Sequence, residues 1–395
     1  MRPNVLQLID SFQSGGSERQ AVQLTRLLHE SGRYRVYVAS LYEQGVLRTD
    51  IERLGLGEIP SFPLNRLYNR KAIMQVRRFA RYLREKKISI VHTHDFYTNI
   101  FGIAGAALAC VPVRIAYRGD SGGWRTPAQD FIDRCSYRLA HAVHANSEAV
   151  RDFLIKSGVP PQKIITIHNG LDMPRLTPAA SLRRDDVIKR FGLPRDARRR
   201  FITIVANMRH EIKDHPMFLR AAQRVQAAIP EATFILAGEG ELMEQVRALA
   251  VQLGLGPHAY FVGHCENMAE LLWISDVCVL ASKAEGFSNV ILEYMAAARP
   301  VVVTDVGGAR EAVIDGESGY LVQSGDDEAM ATRIISLLND HRRASAMGAF
   351  GRSLVEEKFS ERAQLEGTHA MYDQLLARRL RHVPRRLNRM GRDGV

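Results

Sequence analysis

Cysteine is scarce in this sequence. The 395 residues include four cysteines, which are scattered mostly among apolar neighbours and show no C-x-x-C pairing. This spacing argues against both a zinc site and a disulfide framework. It predicts small buried side chains in a protein that works in a reducing compartment. The four residues are Cys110, Cys135, Cys265 and Cys278.

Long hydrophobic runs are also missing, and the first residues do not show the pattern of a signal peptide. The longest apolar run, IFGIAGAALACVPV, ends at Arg114, and it is shorter than the stretch of about 20 residues that spans a bilayer. The first residues, MRPNVLQLID, resemble a buried strand and lack the charged, apolar and small-residue regions of a signal peptide. We therefore predict no transmembrane segment and a cytoplasmic location.

Several nucleotide and metal motifs are absent as well. The sequence contains neither G-x-G-x-x-G nor G-x-x-x-x-G-K-[ST], which disfavours a nicotinamide-dependent dehydrogenase and a P-loop ATPase. Because it has no D-x-D, a metal-bridged diphosphate site has no obvious ligands. His92 and His94 share one face of a strand end, but no third ligand follows at a recognisable spacing. We predict no metal and no cofactor, with one of these histidines buried and the other at a ligand-binding cleft.

Positive charge is what the sequence has in excess. The formal net charge is +11 and the isoelectric point is about 9.7, which favours polyanionic partners such as nucleic acid, anionic lipid or a phosphorylated ligand. No platform of interleaved aromatic and basic residues is evident, so we predict no nucleic-acid binding. The basic residues are concentrated in segments 66–87, 189–200 and 377–392.

Segment 66–87 has the pattern of an amphipathic basic helix. Such a helix fits an anionic membrane surface, where each cation contributes about 1 kcal/mol. An ordinary solvated helix that packs on a sheet explains the same pattern, so peripheral binding to the inner membrane face is one of two interpretations. The apolar positions at helical spacing are Ile73, Val76, Phe79, Ala80 and Leu83.

Strand-like segments alternate with helix-like segments along most of the chain, which predicts parallel sheets covered by helices on both faces. A stretch rich in proline and charge interrupts the alternation. The predicted fold class is therefore α/β, with two doubly wound, Rossmann-like domains that face each other across a cleft. The expected parts are an N-terminal domain at 1–175, a basic linker with one short helix at 176–200, a second domain at 201–355, a terminal helix at 356–380 and a basic tail at 381–395.

The stretch EGFSNVILE, residues 285–293, leaves the carboxyl end of a predicted strand, where ligands bind in open parallel sheets. Ser288 and Asn289 are good N-cap residues for the helix that follows, and the free N–H groups of that helix can bind phosphate. Glu285 and Glu293 would be repelled by phosphate unless they accept hydroxyl hydrogens from sugars. We therefore predict a nucleotide that carries two sugars, although partners of a helix dipole explain the two glutamates equally well.

The segment NMRHEIKDH supplies two cations to the same predicted sheet edge. Arg209 and Lys213 are four residues apart, so a helical turn would direct both at one point. A guanidinium can bind a diphosphate in bidentate fashion, and an ammonium adds a point charge. A solvated helix face is the alternative for any R-x-x-x-K. The turn SGGSE at 14–18 is a weaker indication, because its glycines let the backbone approach a ligand.

Together these segments resemble the retaining glycosyltransferases of family 4, of which E-x7-E is a signature. SGGSE is similar to the N-terminal glycine loop of that family, IVHTH to the strand that leads into its acceptor cleft, and IHNGLD to the motif that closes its first domain. NMRHEIKDH resembles the family's G-R-x-x-x-x-K-G, FILAGEGE the strand and loop after it, and RPVVVTDVGGAREAVIDGESGYLV the stretch after the signature. The resemblance extends over most of the chain.

The resemblance implies a GT-B fold and a hexosyltransferase-type enzyme of polysaccharide or glycolipid biosynthesis. Its donor would be a nucleotide diphosphate sugar, bound mainly by the second domain, and the sugar would pass to an acceptor hydroxyl with retention. The terminal helix would cross back to the N-terminal domain. Glu285 would contact the donor sugar and Glu293 the nucleotide ribose. The implied catalytic residues are Glu285, Arg209 and Lys213, and the diphosphate would contact Arg209, Lys213, Gly16 and the amides of Phe287, Ser288, Asn289 and Val290.

Two positions depart from the family. Lysine-glycine is frequent where this chain has Lys213-Asp214, and many members have a histidine where this chain has Arg118-Gly119-Asp120. The acceptor is expected to be a sugar or a lipid-linked sugar, and its candidate contacts are His94, Arg118 and Asp120.

The nucleotide base is expected to contact the backbone near Gly263 and His264. Two other functions stay open at this point. A nucleotide-sugar epimerase shares the fold and the diphosphate site but needs acid/base carboxylates in the first domain. A basic nucleic-acid-binding protein accounts for the charge but leaves the paired glutamates unexplained.

Overall fold

A computed structural model of the protein describes residues 2–13, 15–64, 70–122 and 125–382. Twelve strands are found in this part of the chain, six in each half. The strands are β1 (Asn4–Ile9), β2 (Arg35–Ser40), β3 (Ile90–Thr93), β4 (Val113–Arg118), β5 (Ala142–Ala145), β6 (Ile164–Thr166), β7 (Arg200–Val205), β8 (Ala232–Ala237), β9 (Ala259–Gly263), β10 (Val277–Leu280), β11 (Val301–Thr304) and β12 (Tyr320–Val322).

In the described residues, at least one α-helix lies between every two consecutive strands, and short 3₁₀ turns are formed by Pro161–Lys163, Pro174–Leu176 and Glu211–Lys213. The α-helices of the described residues are α1 (Gly16–Glu30), α2 (Arg48–Glu52), α3 (Arg70–Glu85), α4 (Phe96–Leu108), α5 (Pro127–Leu139), α6 (Glu148–Lys156), α7 (Arg184–Arg190), α8 (His215–Ala228), α9 (Met243–Gln252), α10 (Met268–Ile274), α11 (Asn289–Ala296), α12 (Ala309–Ala312), α13 (Asp327–Asn339), α14 (His341–Lys358) and α15 (Glu361–His382).

Each half forms one parallel sheet. The strand order is β2-β1-β3-β4-β5-β6 in the first sheet and β12-β11-β10-β7-β8-β9 in the second. In both sheets the order reverses at the first strand, which opens a crevice at the carboxyl ends of β1 and β7. The predicted fold class, two doubly wound domains, is confirmed.

The strands are apolar because both faces of each sheet are covered. Strand β8, with the sequence ATFILA, is buried at all six positions. Its aromatic and β-branched residues suit a pleated surface, and their burial supplies the main favourable free energy of folding. The same pattern recurs in β10 and β11, where every residue is buried.

The helices of the first domain form two layers. Helices α3, α4, α5 and α6 lie on one face of the first sheet, because right-handed crossovers between successive strands put them there. Helix α1 covers the other face together with α15 from the end of the chain. Tyr372 of α15 is fully buried, and its hydroxyl accepts a hydrogen bond of 3.0 Å from Gln7 Nε2 of β1. The two ends of the chain are therefore joined in one core.

The segment expected to be a linker, 176–200, packs on the second sheet. It contains the short helix α7, whose Val187 and Ile188 lie in one hydrophobic cluster with Phe201 and Ile235. The basic tail expected at 381–395 falls, from residue 383 onward, outside the described residues.

One detail of the sequence prediction is wrong, and one feature of the basic helix was not predicted. Ile73, one of the apolar positions at helical spacing, is 55% exposed, whereas Ala72 is buried in α3. The first residues of that predicted segment, 66–69, lie outside the described part of the chain. Cys110 was expected to be buried but is exposed, in a turn with a φ of +57° between α4 and β4.

Candidate active site

The loops that follow β4 and β10 meet where the two domains face each other. Ser121 Oγ, after β4, donates a hydrogen bond of 2.7 Å to the backbone carbonyl of Glu285. A Cβ added to Gly286 would lie 2.0 Å from the Gly119 carbonyl oxygen, so glycine is what permits this approach. The loop between β10 and α11, residues 281–288, carries Glu285 and is called the signature loop. It is therefore held directly against the first domain.

The carboxylate of Glu285 is already engaged by two neighbours. Lys213 Nζ lies 2.5 Å from its Oε1, and Ser282 Oγ donates to the same oxygen at 2.7 Å. The side chains of Lys213 and Glu285 are 20% and 13% exposed, so the ion pair is only partly shielded from solvent. The structure thus brings together two of the three predicted catalytic residues.

Helix α11 begins in the cleft with unoccupied amides. The N-cap residue Ser288 makes no capping hydrogen bond with any described group, and the first-turn N–H groups have no intrahelical acceptor. A Cβ added to Gly16 would lie 3.9 Å from Asn289 Nδ2, which brings the glycine turn of the first domain opposite this helix start. Asn169 Nδ2 also donates to Asn289 Oδ1 at 2.8 Å. The start of α11 faces the first domain at the position where the diphosphate is predicted to bind.

Glu293 lies one turn further along α11. Burial raises the pKa of its carboxyl, while Arg19 and Arg175 act in the opposite direction. Arg19 belongs to α1 in the first domain, so a cation from across the cleft accompanies the predicted ribose ligand. Sequence reasoning missed Arg19, although it directly follows the glycine turn.

Arg209 and Lys213 both lie at the cleft but interact with different carboxylates. Arg209 is exposed. Burial raises the pKa of Glu18, and the charge of Arg209 opposes this increase only in part. Glu18 is in the first turn of α1, next to Gly16. The expectation that a helical turn directs both cations at one point is modified, since the intervening residues form a short 3₁₀ turn.

An acidic cluster at the edge of the first sheet was not foreseen. Burial, followed by the charge of Glu18, raises the pKa of Asp10 to about 6. Burial, followed by the charge of Asp10, raises the pKa of Asp95 to about 7. Asp10 directly follows β1 and Asp95 caps α4 by accepting from Thr98 N at 2.9 Å. The positions at strand ends were readable from the sequence, but their proximity was not.

Both histidines of the VHTH segment are buried, whereas one was expected at the cleft. His94 is 5% exposed, and its Nε2 lies 2.8 Å from Gln7 Oε1. Burial, followed by the charge of His144, lowers the pKa of His94 to about 3. His92 lies within hydrogen-bonding distance of Tyr372 and His144. Burial lowers the pKa of His92, His94 and His144, which favours their neutral forms in a buried polar network.

The predicted base-binding segment lies at the end of β9. Gly263 adopts a φ of +67°, which favours glycine. The backbone N–H of His264 donates a hydrogen bond of 3.1 Å to Glu239 Oε1. Glu239 therefore occupies an amide that was expected to be available for a nucleotide base.

No group of three or more histidine, cysteine, aspartate or glutamate side chains that would suit a metal ion is found in the described ranges. Within the same ranges, no helix has the length and apolarity needed to cross a bilayer.

Comparison with known proteins identifies the family. Residues 14–175 match the family described as Glycosyltransferase Family 4, and residues 199–340 match the family described as Glycosyl transferases group 1. The chain belongs to glycosyltransferase family 4. This membership confirms the resemblance of the sequence motifs and supports neither the epimerase nor the nucleic-acid-binding alternative.

Two curated relatives are similar over part of their length. The chain is 32% identical over 219 residues to the putative glycosyltransferase EpsD of Bacillus subtilis (strain 168), covering 55% of this chain and 56% of that protein. It is 30% identical over 282 residues to D-inositol 3-phosphate glycosyltransferase 1 of Catenulispora acidiphila, covering 66% of each. The matched region thus spans between about half and two thirds of these relatives.

A solved structure is similar over almost the whole chain. The crystal structure of HepE from Anabaena in complex with UDP superposes with a TM-score of 0.82 at 19% identity, covering 95% of this chain and 100% of that one. At this identity the likeness shows the fold, which is the GT-B arrangement.

The first departure from the family pattern has a backbone explanation. Asp214, where family 4 often has glycine, adopts a left-handed conformation with φ +44° and ψ +52°. Its Oδ1 accepts from Met217 N at 3.2 Å and caps α8. Aspartate tolerates this conformation better than most residues and adds a cap that glycine lacks.

The second departure forms a buried ion-pair network. Arg118 is 2% exposed, and its guanidinium lies 2.7 Å from Asp120 Oδ1 and 3.0 Å from Asp133 Oδ2. Arg125 contacts both of these carboxylates, at 2.8 and 2.6 Å. Arg118 therefore stabilises the loop that carries Asp120 and Ser121. Its buried charge is compensated by the carboxylates of Asp120 and Asp133. Asp120 is more accessible, and an acceptor role for this loop stays a prediction.

Proposed function

We propose that this protein transfers a sugar from a nucleoside diphosphate sugar to an acceptor hydroxyl with retention of configuration. The observation that carries this proposal is the Lys213–Glu285 ion pair beside the uncapped start of α11. A cation beside free amides fits a diphosphate, and an adjacent carboxylate fits the hydroxyls of the sugar attached to it.

The residues divide the work between binding and charge stabilisation. The amides at the start of α11, together with Arg209 and Lys213, take up the diphosphate and stabilise the negative charge that grows on it as it leaves. Glu285 accepts hydroxyl hydrogens from the donor sugar, and Glu293 does the same for the ribose. The pairing of Glu285 with Lys213 keeps both groups in place before the donor binds.

Retention follows if the acceptor attacks from the side of the leaving diphosphate. The bond between the anomeric carbon and the phosphate oxygen breaks while a bond to the acceptor oxygen forms on the same face. The acceptor proton passes to the departing phosphate oxygen, and the sugar passes through an oxocarbenium-like state. The test is the anomeric configuration of the product, read from its ¹H coupling constant directly after transfer; an inverted product would refute this step.

For the nucleotide we propose UDP. The similar structure of HepE was determined with UDP, and the two chains share the fold of the site. Thermal-shift and calorimetric titrations with UDP, GDP, ADP and CDP provide the test. We expect UDP to bind most tightly, and equal binding of all four would remove the base from the specificity.

We propose that the diphosphate is bound without a divalent ion. The sequence has no D-x-D, and Arg209, Lys213 and the α11 amides supply the positive charge instead. Activity with a large excess of EDTA is expected to equal activity without it. A loss of activity that Mg²⁺ or Mn²⁺ restores would contradict this part of the proposal.

The outer surface of helices α3 to α5 suggests where the acceptor is met. We propose a sugar or lipid-linked sugar acceptor of polysaccharide or glycolipid synthesis, reached by peripheral binding to the cytoplasmic face of the inner membrane. Helix α3 carries six cations and one anion in its sequence RKAIMQVRRFARYLRE. Apolar side chains are exposed among them and on the neighbouring helices, namely Ile73, Met74, Leu108, Phe131 and Leu139.

A pocket of about 380 Å³ extends this surface between α5 and residues 157–163, which follow α6. Arg134 and Arg138 line it and add positive charge to this surface. Sedimentation with vesicles of phosphatidylcholine alone, or with about one third phosphatidylglycerol, tests the proposal. We expect binding to the anionic vesicles only, and a charge reversal at Arg77 and Arg81 of α3 is expected to abolish it. Equal sedimentation with both vesicles would refute it.

A further inference from the structure

Glu311 makes a contact between the domains that the transfer chemistry does not use. It lies in the short helix α12 of the second domain. Its two carboxylate oxygens accept hydrogen bonds from the backbone N–H groups of Glu148, at 2.8 Å, and Ala149, at 3.0 Å. These are the first two residues of α6 in the first domain. A side chain of one domain therefore caps a helix of the other.

The N-terminus of α6 is only partly capped by residues of the first domain, and Glu311 completes the cap. Ser147, the N-cap residue of α6, accepts from Val150 N at 3.1 Å. The first two amides of α6 would have no acceptor in their own domain, and Glu311 supplies it. A carboxylate at this position also interacts favourably with the positive end of the helix dipole.

A histidine connects this cap to the signature loop. His168 Nε2 lies 2.7 Å from Glu311 Oε2, and the His168 ring lies 4.9 Å from the ring of Phe287. At the start of α12, the backbone N–H of Gly308 donates a hydrogen bond of 2.7 Å to the carbonyl of Gly286. The chain around Glu311 is thus fastened to the loop that carries Glu285 as well as to α6.

The electrostatics agree with a cap that works as a carboxylate. Burial by itself would raise the pKa of Glu311, but the hydrogen bonds from His168, Ala149 and Glu148 outweigh it and lower the pKa. Glu311 therefore stays ionised at neutral pH.

We infer that Glu311 is a positioning residue whose contacts with α6 and His168 hold the cleft in the closed arrangement that transfer requires. This inference rests on the proposed glycosyl transfer. The contacts exist only while the two domains are together, because their partners belong to different domains. Nucleotide binding by the second domain does not need them, whereas alignment of the acceptor-side loop with Glu285 does.

Substitution of Glu311 is expected to lower turnover without weakening nucleotide binding. Hydrogen bonds to a charged group have a net worth that corresponds to roughly a 10- to 100-fold change in an equilibrium. Glu311→Ala is therefore expected to lower kcat by about 10-fold or more, with a UDP dissociation constant within about twofold of that of the unchanged protein. Glu311→Gln keeps oxygen acceptance but loses the charge, so it is expected to fall between the two.

Arg310→Ala is the matched control. Arg310 is the neighbour of Glu311 on α12, its side chain is 68% exposed, and its ion pair with Asp305 stays within the second domain. Its substitution is expected to leave kcat, UDP binding and domain arrangement unchanged. The experiment compares the variants by calorimetry with UDP, by steady-state transfer kinetics and by small-angle X-ray scattering. Glu311→Ala, but not Arg310→Ala, is expected to increase the radius of gyration.

Two outcomes overturn the inference. The first is a scattering profile and kcat of Glu311→Ala that match those of Arg310→Ala. The second is a loss of UDP binding in parallel with turnover, which would indicate a defect of the second domain. If no transfer by the unchanged protein is detected, the proposed function fails, but the scattering comparison still decides whether Glu311 closes the cleft.

A double-mutant cycle shows whether the two side chains act together. If Glu311 and His168 hold the domains through one contact, the losses in kcat from Glu311→Ala and His168→Ala are expected not to multiply in the double variant. Fully multiplicative losses would show that His168 is not part of the contact.

Discussion

Lys213 Nζ lies 2.5 Å from Oε1 of Glu285, a residue 72 positions further along the chain. The contact joins two motifs that the sequence presents separately, one after β7 and one after β10. Adjacent positions of β7 and β10 in the second sheet bring them together. Because each charge compensates the other, the pair is stable in a partly buried site.

Removal of the lysine is expected to impair turnover. Lys213→Ala eliminates one preorganised charge donor, a change that typically costs about 2.7–4 kcal/mol of transition-state stabilisation. We expect kcat to fall by roughly 10²- to 10³-fold, and a similar loss for Arg209→Ala. Lys283→Ala is the control, since Lys283 is 53% exposed and lies 3.8 Å from Asp214. Initial-rate measurements check this prediction, and near-normal turnover of Lys213→Ala would refute the assignment.

The two glutamates of the signature are expected to separate in a binding experiment. Glu285→Gln removes the charge that we propose faces the donor sugar, so we expect loss of transfer while UDP still binds. Glu293→Gln is expected to weaken UDP binding instead, because it alters the predicted ribose contact. Isothermal titration of both variants is the measurement. The roles would be reversed if Glu285→Gln abolished UDP binding and Glu293→Gln did not affect it.

A single methyl group at the domain interface is expected to open the cleft. In Gly286→Ala the new Cβ would lie 2.0 Å from the Gly119 carbonyl oxygen, so the two loops must separate. We expect transfer to fall by at least about tenfold and the protein to remain folded. Gly256→Ala is the control, because its Cβ would come no closer than 3.8 Å to Val251. Kinetics together with circular dichroism check the outcome, and full activity of Gly286→Ala would show that the loops are not in contact during turnover.

Asp95 predicts a pH-dependent change in stability. Burial and then the charge of Asp10 raise its pKa from 3.8 to about 7, so the folded state holds a proton that the unfolded state releases. The stability that this group gives the folded state is therefore fully present below about pH 4. It decreases as the pH rises and is lost once the pH has passed 7. Asp95→Asn keeps the cap of α4 but cannot ionise.

The corresponding experiment compares melting temperatures at pH 5 and pH 8. Relative to the unchanged protein, Asp95→Asn is expected to gain at least about 1 kcal/mol more at pH 8 than at pH 5. Asp152→Asn, at an exposed position on α6, is the control. An equal effect of Asp95→Asn at both pH values would contradict the raised pKa.

Most of the fold was predictable from local patterns. Short apolar segments that alternate with helical periodicity identify strands and helices, and right-handed crossovers leave few arrangements for them. Burial was predicted wrongly at Cys110, which is exposed by the turn that contains it. Within α3, the structure alone shows that Ala72 is buried and Ile73 is exposed.

The site was predictable to the level of its loops. The positions of Glu285, Glu293, Arg209 and Lys213 after strand ends place them at one sheet edge, and the structure agrees with this placement. The contacts of each side chain were not predictable. His94 was expected to be a cleft residue and is buried against Gln7, because a strand at the other end of the domain's sequence provides its partner.

The sequence by itself determined the order of strands and helices, the family motifs and the sheet edge at which they lie, because these depend on residues that are close together in the chain. Tertiary structure alone decided that Lys213 pairs with Glu285, that Arg118 is enclosed by Asp120 and Asp133, and that Glu311 caps a helix of the other domain. Such contacts depend on how separate segments are packed, and hydrogen bonds and ion pairs require an alignment within a few tenths of an ångström that no local pattern encodes.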